Sequence, residues 1–164
     1  MKVGRSRRPD GVGRLQVAVS GGGTCRPQVA RAAAALGEAL AELGAVIICG
    51  GMGGVMEAVS RGATQRGGMV IGMLPGYDRR SGNSFLTAAV PTGLGHGRNV
   101  LVAAGGDVLV AFPGGAGTLS EIALALRLGR PVIGVGAWGQ IEGVHEVQDV
   151  EAAVERIGAL ASPG

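Results

Sequence analysis

The sequence predicts an α/β protein: one domain built on a Rossmann-like, doubly wound parallel sheet. Three observations predict it. Short apolar runs recur along the chain, as in Ala45-Val46-Ile47-Ile48-Cys49 and Val108-Leu109-Val110-Ala111-Phe112. They are continuous rather than alternating, as strands are when helices cover both faces of a parallel sheet. Between them lie segments with apolar residues at helical spacing. Finally, three runs end in glycine clusters that lead into helices: Ser20-Gly21-Gly22-Gly23-Thr24, Gly50-Gly51-Met52-Gly53-Gly54 and Pro113-Gly114-Gly115-Ala116-Gly117. Right-handed crossovers bring all three loops to the carboxyl edge of the sheet, where ligands bind at the point of strand-order reversal.

The elements follow in order. Residues 1–14 read as a basic flexible tail carrying Arg5, Arg7, Arg8 and Arg14, and residues 15–164 as the Rossmann-like domain. A strand is expected at 15–20 and a helix at 27–43, with Val29, Ala32, Ala33, Leu36, Leu40 and Leu43 as its apolar stripe. A strand at 45–49, a helix at 54–66 and a strand at 69–74 come next. Residues 75–84 form a polar loop long enough to carry function. A short strand at 85–90, a helix at 96–104, a strand at 107–112, a helix at 118–129, a last strand at 131–136 and a helix at 148–160 complete the chain.

Composition narrows the function. The chain has 164 residues, enough for one proper core, and its 33 glycines cluster at strand ends instead of forming a repeat. A net charge of +3 concentrated in the tail, with no basic or aromatic face elsewhere, gives no expectation of a nucleic-acid partner. Cys25 and Cys49 make neither a metal spacing nor a disulfide framework. No apolar stretch is long enough for a membrane span and no leader is visible, so a cytoplasmic location and no membrane partner are expected. The only lysine is Lys2, which excludes a pyridoxal phosphate Schiff base and a P-loop in the body. The dinucleotide fingerprint Gly-x-Gly-x-x-Gly is missing from all three loops. His96 and His145 have no neighbouring ligands, so no metal and no resident cofactor are expected.

The loop at 113–121 concentrates the chemistry. Its bare N–H groups and the first turn of the following helix suit an anion. Thr118 adds a hydroxyl, and Glu121 lies one turn in. A capping box competes with this reading, with Thr118 as N-cap and Glu121 reaching back to it. Other ionisable candidates near the strand ends are Glu57, Asp78, Arg79, Arg80, His96 and Arg98. Glu57 is expected to do no more than complement its helix dipole. Arg98, early in its helix, opposes the dipole and calls for an anionic partner. Asp107 starts its strand and so belongs to the opposite edge. Tyr77, Met52 and Met73 are the side chains available to stack on a base.

Pro113-Gly-Gly-Ala-Gly-Thr-Leu-Ser-Glu121 resembles the PGGxGTxxE signature of the LONELY GUY (LOG) family, formerly labelled lysine decarboxylase-like. Gly50 to Met56 is similar to that family's second glycine motif, and Gly68 to Pro75 to the strand after it. The resemblance covers roughly residues 15–135. It implies a Rossmann-like homodimer, or higher homo-oligomer, pairing through the helices at 96–104 and 118–129. It also implies hydrolysis of nucleoside 5′-monophosphates to free base and ribose 5-phosphate. On that resemblance Gly114, Gly115, Gly117 and Thr118 hold the 5′-phosphate, and Glu121 and Arg98 are catalytic. The other two glycine loops add Ser20, Gly21, Gly22, Gly51, Gly53 and Gly54 as ligand-binding candidates. The family's Arg-Lys pair is Arg98-Asn99 here, which is similar to a short branch that includes molybdenum-cofactor carrier proteins. The alternative is therefore a non-catalytic carrier of a phosphorylated ligand, such as molybdenum cofactor or a nucleotide. Arg79 and Arg80 are expected to cover the ligand phosphate as a lid.

Overall fold

Burial of the continuous apolar runs fixes the architecture. The computed structural model describes residues 13–161. The strands are β1 (Gln16–Ser20), β2 (Val46–Cys49), β3 (Met69–Leu74), β4 (Ala88–Pro91), β5 (Val108–Ala111), β6 (Val132–Val135) and β7 (Val144–Val147). The helices are α1 (Pro27–Glu42), α2 (Val55–Gln65), α3 (Asn99–Gly105), α4 (Ala116–Arg127) and α5 (Val150–Ala161). Among the described residues the seven strands form one parallel sheet in the order β4-β3-β2-β1-β5-β6-β7. The predicted Rossmann-like α/β fold is the observed one, and the strand order reverses between β1 and β5.

Each face has its own core. Leu36 and Leu40 of α1, Val59 of α2 and Ile157 of α5 pack with Val17, Ile47 and Val110 on one face. Val102 of α3 and Ile122 and Ala125 of α4 pack with Ala18 and Leu109 on the other. The central strands β1, β2, β5 and β6 are buried nearly throughout, whereas β4 and β7 at the edges are not. At the opposite edge of the sheet, Asp107 accepts a hydrogen bond from the Gln16 backbone N–H at 2.9 Å, a structural role in line with its position.

Four expectations need correction. The strand at 131–136 is not the last: β7 follows, and its Val-His-Glu-Val sequence lacks an apolar run because an edge strand leaves half its residues exposed. The strand expected at 85–90 starts at Ala88, because Asn83 holds the preceding residues in a turn. Its Nδ2 donates to Met52 O at 3.0 Å and its Oδ1 accepts from the Phe85 N–H at 3.1 Å. The helix expected at 96–104 is two pieces, a 3-10 turn over Gly95–Arg98 and then α3. The fourth helix starts at Ala116, two residues before the expected 118. The tail at 1–14 falls outside the described residues except for 13 and 14, and Arg14 Nε donates to Gly44 O at 2.8 Å. Trp138, the single tryptophan, has φ 71°, and its Nε1 donates to Phe112 O at 2.9 Å.

Gly54, the N-cap of α2, shows why the carboxyl edge needs glycine. Its φ of 61° and ψ of −125° lie where only glycine is relaxed. A Cβ there would also run into the backbone of Gly22 and Gly23. Gly54→Ala should therefore cost at least roughly 1–3 kcal/mol, the backbone strain alone. Gly23→Ala, at a position open on all sides, should cost far less. Equal denaturant midpoints for the two variants would refute this account of the edge.

Candidate functional site

The site forms where β1 and β5 end side by side. Ser20 pairs in register with Ala111, so the loops beyond them leave the sheet together. Gly22 ties them: its N–H donates to Pro113 O at 3.0 Å, and its carbonyl accepts from the Val55 N–H at 3.0 Å. One peptide position thus joins the loop after β1 to the loop after β5 and to the start of α2. Gly114 lies directly under Thr118, with Gly22 N 2.9 Å from where its Cβ would be. No larger residue fits that crossing.

Gly115 is the N-cap of α4 and offers no side-chain cap. The first-turn amides of α4 have no intrahelical acceptor and point a partial positive charge outward. Thr118 is the third helical residue and Glu121 the sixth, so the expected capping box does not exist. Both side chains instead face inward and are buried.

A cavity of about 310 Å³ opens over these groups. Of the sequence candidates, Ser20, Gly21, Gly22, Arg98, Gly115, Gly117, Thr118 and Glu121 line it. Gly51, Gly53, Gly54 and Gly114 do not. Gly51 packs against Leu74 and Gly72, while Gly53 and Gly54 lie against the loop after β1. They support the cradle rather than lining it. Met56, His96, Asn99 and Gly23 also line it. His96 was already among the ionisable candidates, Asn99 stands next to Arg98 in the sequence, and Met56, the second residue of α2, closes the second glycine motif.

The expected lid and stacking residues lie elsewhere. Arg80 pairs with Asp78 through Nε and Nη2, with Nη2 3.0 Å from Oδ2, and Arg79 and Arg80 line a different surface hollow with Leu86 and Ala89. The loop closes on itself through this pair, and neither arginine lines the cradle. Tyr77 is exposed and packs over Gly93. Met52 is outside the cavity and Met73 packs in the core beneath α3 and α4. Glu57 is exposed at the start of α2, away from the cavity lining.

Arg98 caps α3 at its junction with the 3-10 turn, and its side chain is only 12% exposed. The guanidinium lies against the end of β2, where a Cβ on Gly50 would be 2.8 Å from Nη2. Nη1 donates to Asn99 Oδ1 and lies 3.7 Å from Glu121 Oε1. Asn99 is buried and donates to Ser120 Oγ at 2.8 Å, which donates to Gly117 O at 2.7 Å. A chain of hydrogen bonds therefore fixes the cation to the glycine turn of α4. Arg98 Nε is buried with no hydrogen-bond partner among the described residues. Burial pushes the Glu121 carboxyl up to about 7, and the Ser20 hydroxyl and Arg98 only partly offset it. On the far side of β2's end, burial raises the Cys49 thiol to about 11, which keeps it protonated and inert.

An open parallel sheet with its cavity at the strand-order reversal defines a Rossmann-like ligand-binding protein. The chain belongs to the SLOG cluster4 family, whose model matches residues 14–161. It is 41% identical over 140 residues to an uncharacterized protein of Archaeoglobus fulgidus, covering 85% of this chain and 92% of that one. It is similar to the molybdenum cofactor binding protein of Rippkaea orientalis, with a TM-score of 0.86 and 31% identity over 92% of this chain and 99% of that one. The molybdenum cofactor carrier protein of Chlamydomonas reinhardtii aligns with a TM-score of 0.79 and 30% identity, covering 89% and 97% of the two chains. DNA processing protein A of Helicobacter pylori shares the fold at 19% identity and a TM-score of 0.71, covering 88% and 80%.

Glu121 makes stability depend on pH. Its folded pKa of about 7 lies above the ordinary 4.5. Between those values the folded protein keeps a proton that the unfolded chain has released. Stability therefore falls as pH rises through this window and levels off above it, a loss on the order of 3 kcal/mol. Glu121→Gln should flatten that descent and exceed wild type in stability above neutral pH. Parallel pH–melting profiles for the two proteins would contradict the assignment.

Proposed function

We propose that this protein binds or carries a phosphorylated small molecule, with the phosphate in the cradle formed by Gly21, Gly22, Gly115, Gly117 and Thr118. The observation that carries this reading is Arg98: a nearly buried guanidinium that lines the cavity and whose Nε has no acceptor among the described residues. A buried unsatisfied donor is costly, and an anionic oxygen satisfies it with a charge-assisted hydrogen bond. The first-turn amides of α4 add to the same field. A volume of about 310 Å³ is at the low end for a whole-ligand pocket. It suits the phosphate end of a ligand whose remainder lies over the rim toward His96 and Met56.

A phosphorylated pterin such as the molybdenum cofactor is the leading cargo. Similarity to a molybdenum cofactor binding protein and a molybdenum cofactor carrier protein supports it. Asn99 supports it too. It stands where the LOG resemblance has a lysine, and it ties Arg98 down instead of supplying a second charge. The second reading, a nucleoside 5′-monophosphate phosphoribohydrolase, draws on the Glu121–Arg98 juxtaposition. A carboxyl with a pKa near 7 suits proton transfer, and its anion would stabilise an oxocarbenium-like transition state.

The two readings part on turnover. Incubation with purine and pyrimidine monophosphates, followed by chromatography, should release no free base. Equilibrium binding of a phosphorylated pterin or nucleotide should be measurable. Arg98→Ala should weaken that binding roughly tenfold to a hundredfold, the worth of a hydrogen bond to a charged group. Base release that disappears in Glu121→Gln would install the hydrolase reading instead.

We also propose a homodimer through α3 and α4, where Val100, Leu101 and Leu119 are exposed apolar residues on adjacent helices. Leu119→Asp should convert the assembly to single chains. A wild-type solution mass of one chain at micromolar concentration would overturn the dimer.

A further inference from the structure

We propose that the cradle exchanges charge as it fills: an anion that takes Arg98 does so with uptake of one proton by Glu121. This rests on the reading of the cradle as an anion site. The geometry sets the conflict. Among the described residues Arg98 is the one guanidinium lining the cavity, and Glu121 Oε1 already lies 3.7 Å from its Nη1. Arg98 cannot turn away from Glu121 when an anion arrives. Its Nη1 is held by Asn99 Oδ1 and its Nη2 lies against the backbone at Gly50. Glu121 cannot turn away either, because its side chain is 8% exposed and packed in the floor of the cavity.

The groups facing Glu121 leave the proton as the available relief. From β1 comes the Ser20 hydroxyl, which favours the charged carboxylate. Arg98 and His96 come from the turn before α3, and Met56, without charge, from α2. Cys49 at the end of β2 senses the Glu121 charge through space but stays a thiol. None supplies a second fixed positive charge. A dianion beside a buried carboxylate would leave like charges sharing one arginine, which is unfavourable in a poorly solvated site. Protonation removes one of them. The free site is already poised for it, since Glu121 titrates at about 7 and a bound anion moves that value higher.

The consequence is a sign. Affinity is greatest at low pH, where Glu121 is already neutral, and falls as pH rises past the titration of the free site. A rise in pH therefore releases the anion.

Sulfate is the suitable probe, because it remains a dianion across the working range and adds no titration of its own. Its dissociation constant for the full chain, measured by ligand-induced stabilisation, should be flat below about pH 6. It should weaken by up to tenfold per pH unit above about pH 7, the slope for one proton. Glu121→Gln should bind at the tight, low-pH affinity with no slope. Ser20→Ala, which removes the hydroxyl favouring the charged carboxylate, should move the descent to higher pH. It provides the same test if the glutamine variant does not fold. A flat wild-type profile with measurable binding overturns the proton exchange and leaves the anion cradle standing. So does a slope that persists in Glu121→Gln and vanishes in His96→Gln, which assigns the titration to His96. Absence of sulfate binding at every pH overturns the anion site and the exchange together.

Discussion

The peptide unit at Gly22 is the constraint on which the rest of the site depends. Its N–H is given to the loop after β5 and its carbonyl to the first amide of α2. A backbone group bonded on both sides cannot drift, so three strand ends become one rigid rim. The price of that closeness is space. Gly54 and Gly114 crowd the same point, and neither tolerates a Cβ. At these two positions glycine is a packing requirement rather than a sign of flexibility.

That rigidity is what makes the polar contents of the cavity possible. Arg98 and Glu121 are both nearly sealed from water, a placement that costs free energy unless their environment is fixed. The backbone and the chain through Asn99 and Ser120 to Gly117 supply the fixed frame. They do not complete it, because Arg98 Nε is left without an acceptor. Under the proposed function, a site that is rigid, basic at one point and unfinished at that point is preorganised for its anion rather than for internal stability.

The fold was legible because burial writes itself into composition. Strands covered on both faces must be continuously apolar, and β1, β2, β5 and β6 are. β7 escaped notice for the converse reason, since an edge strand with His145 and Glu146 exposed obeys no such demand. The glycine loops could be placed at one edge from the order of elements, but not ranked. Sequence does not distinguish Gly115, which borders the cavity, from Gly114, which is wedged beneath it. The capping box at Thr118 failed because the helix begins earlier, at Ala116, on an uncapped glycine. Local pattern prefers a hydroxyl cap, and the tertiary crossing at Gly22 overrode it. Met56 and the role of Asn99 depend on which side of a helix meets another element, information that no linear spacing contains.

Trp138 has a bearing on how the site can be watched. It is the only indole in the chain, held half-buried with a left-handed backbone. Its ring nitrogen is bonded to the carbonyl of Phe112, the residue immediately before the loop that Gly22 clamps. Any shift of that loop alters the polarity around the chromophore directly. The single tyrosine, Tyr77, sits apart on the surface beside Gly93. The protein therefore contains its own optical gauge of the rim: the emission of one residue reports the surroundings of Phe112 without a label.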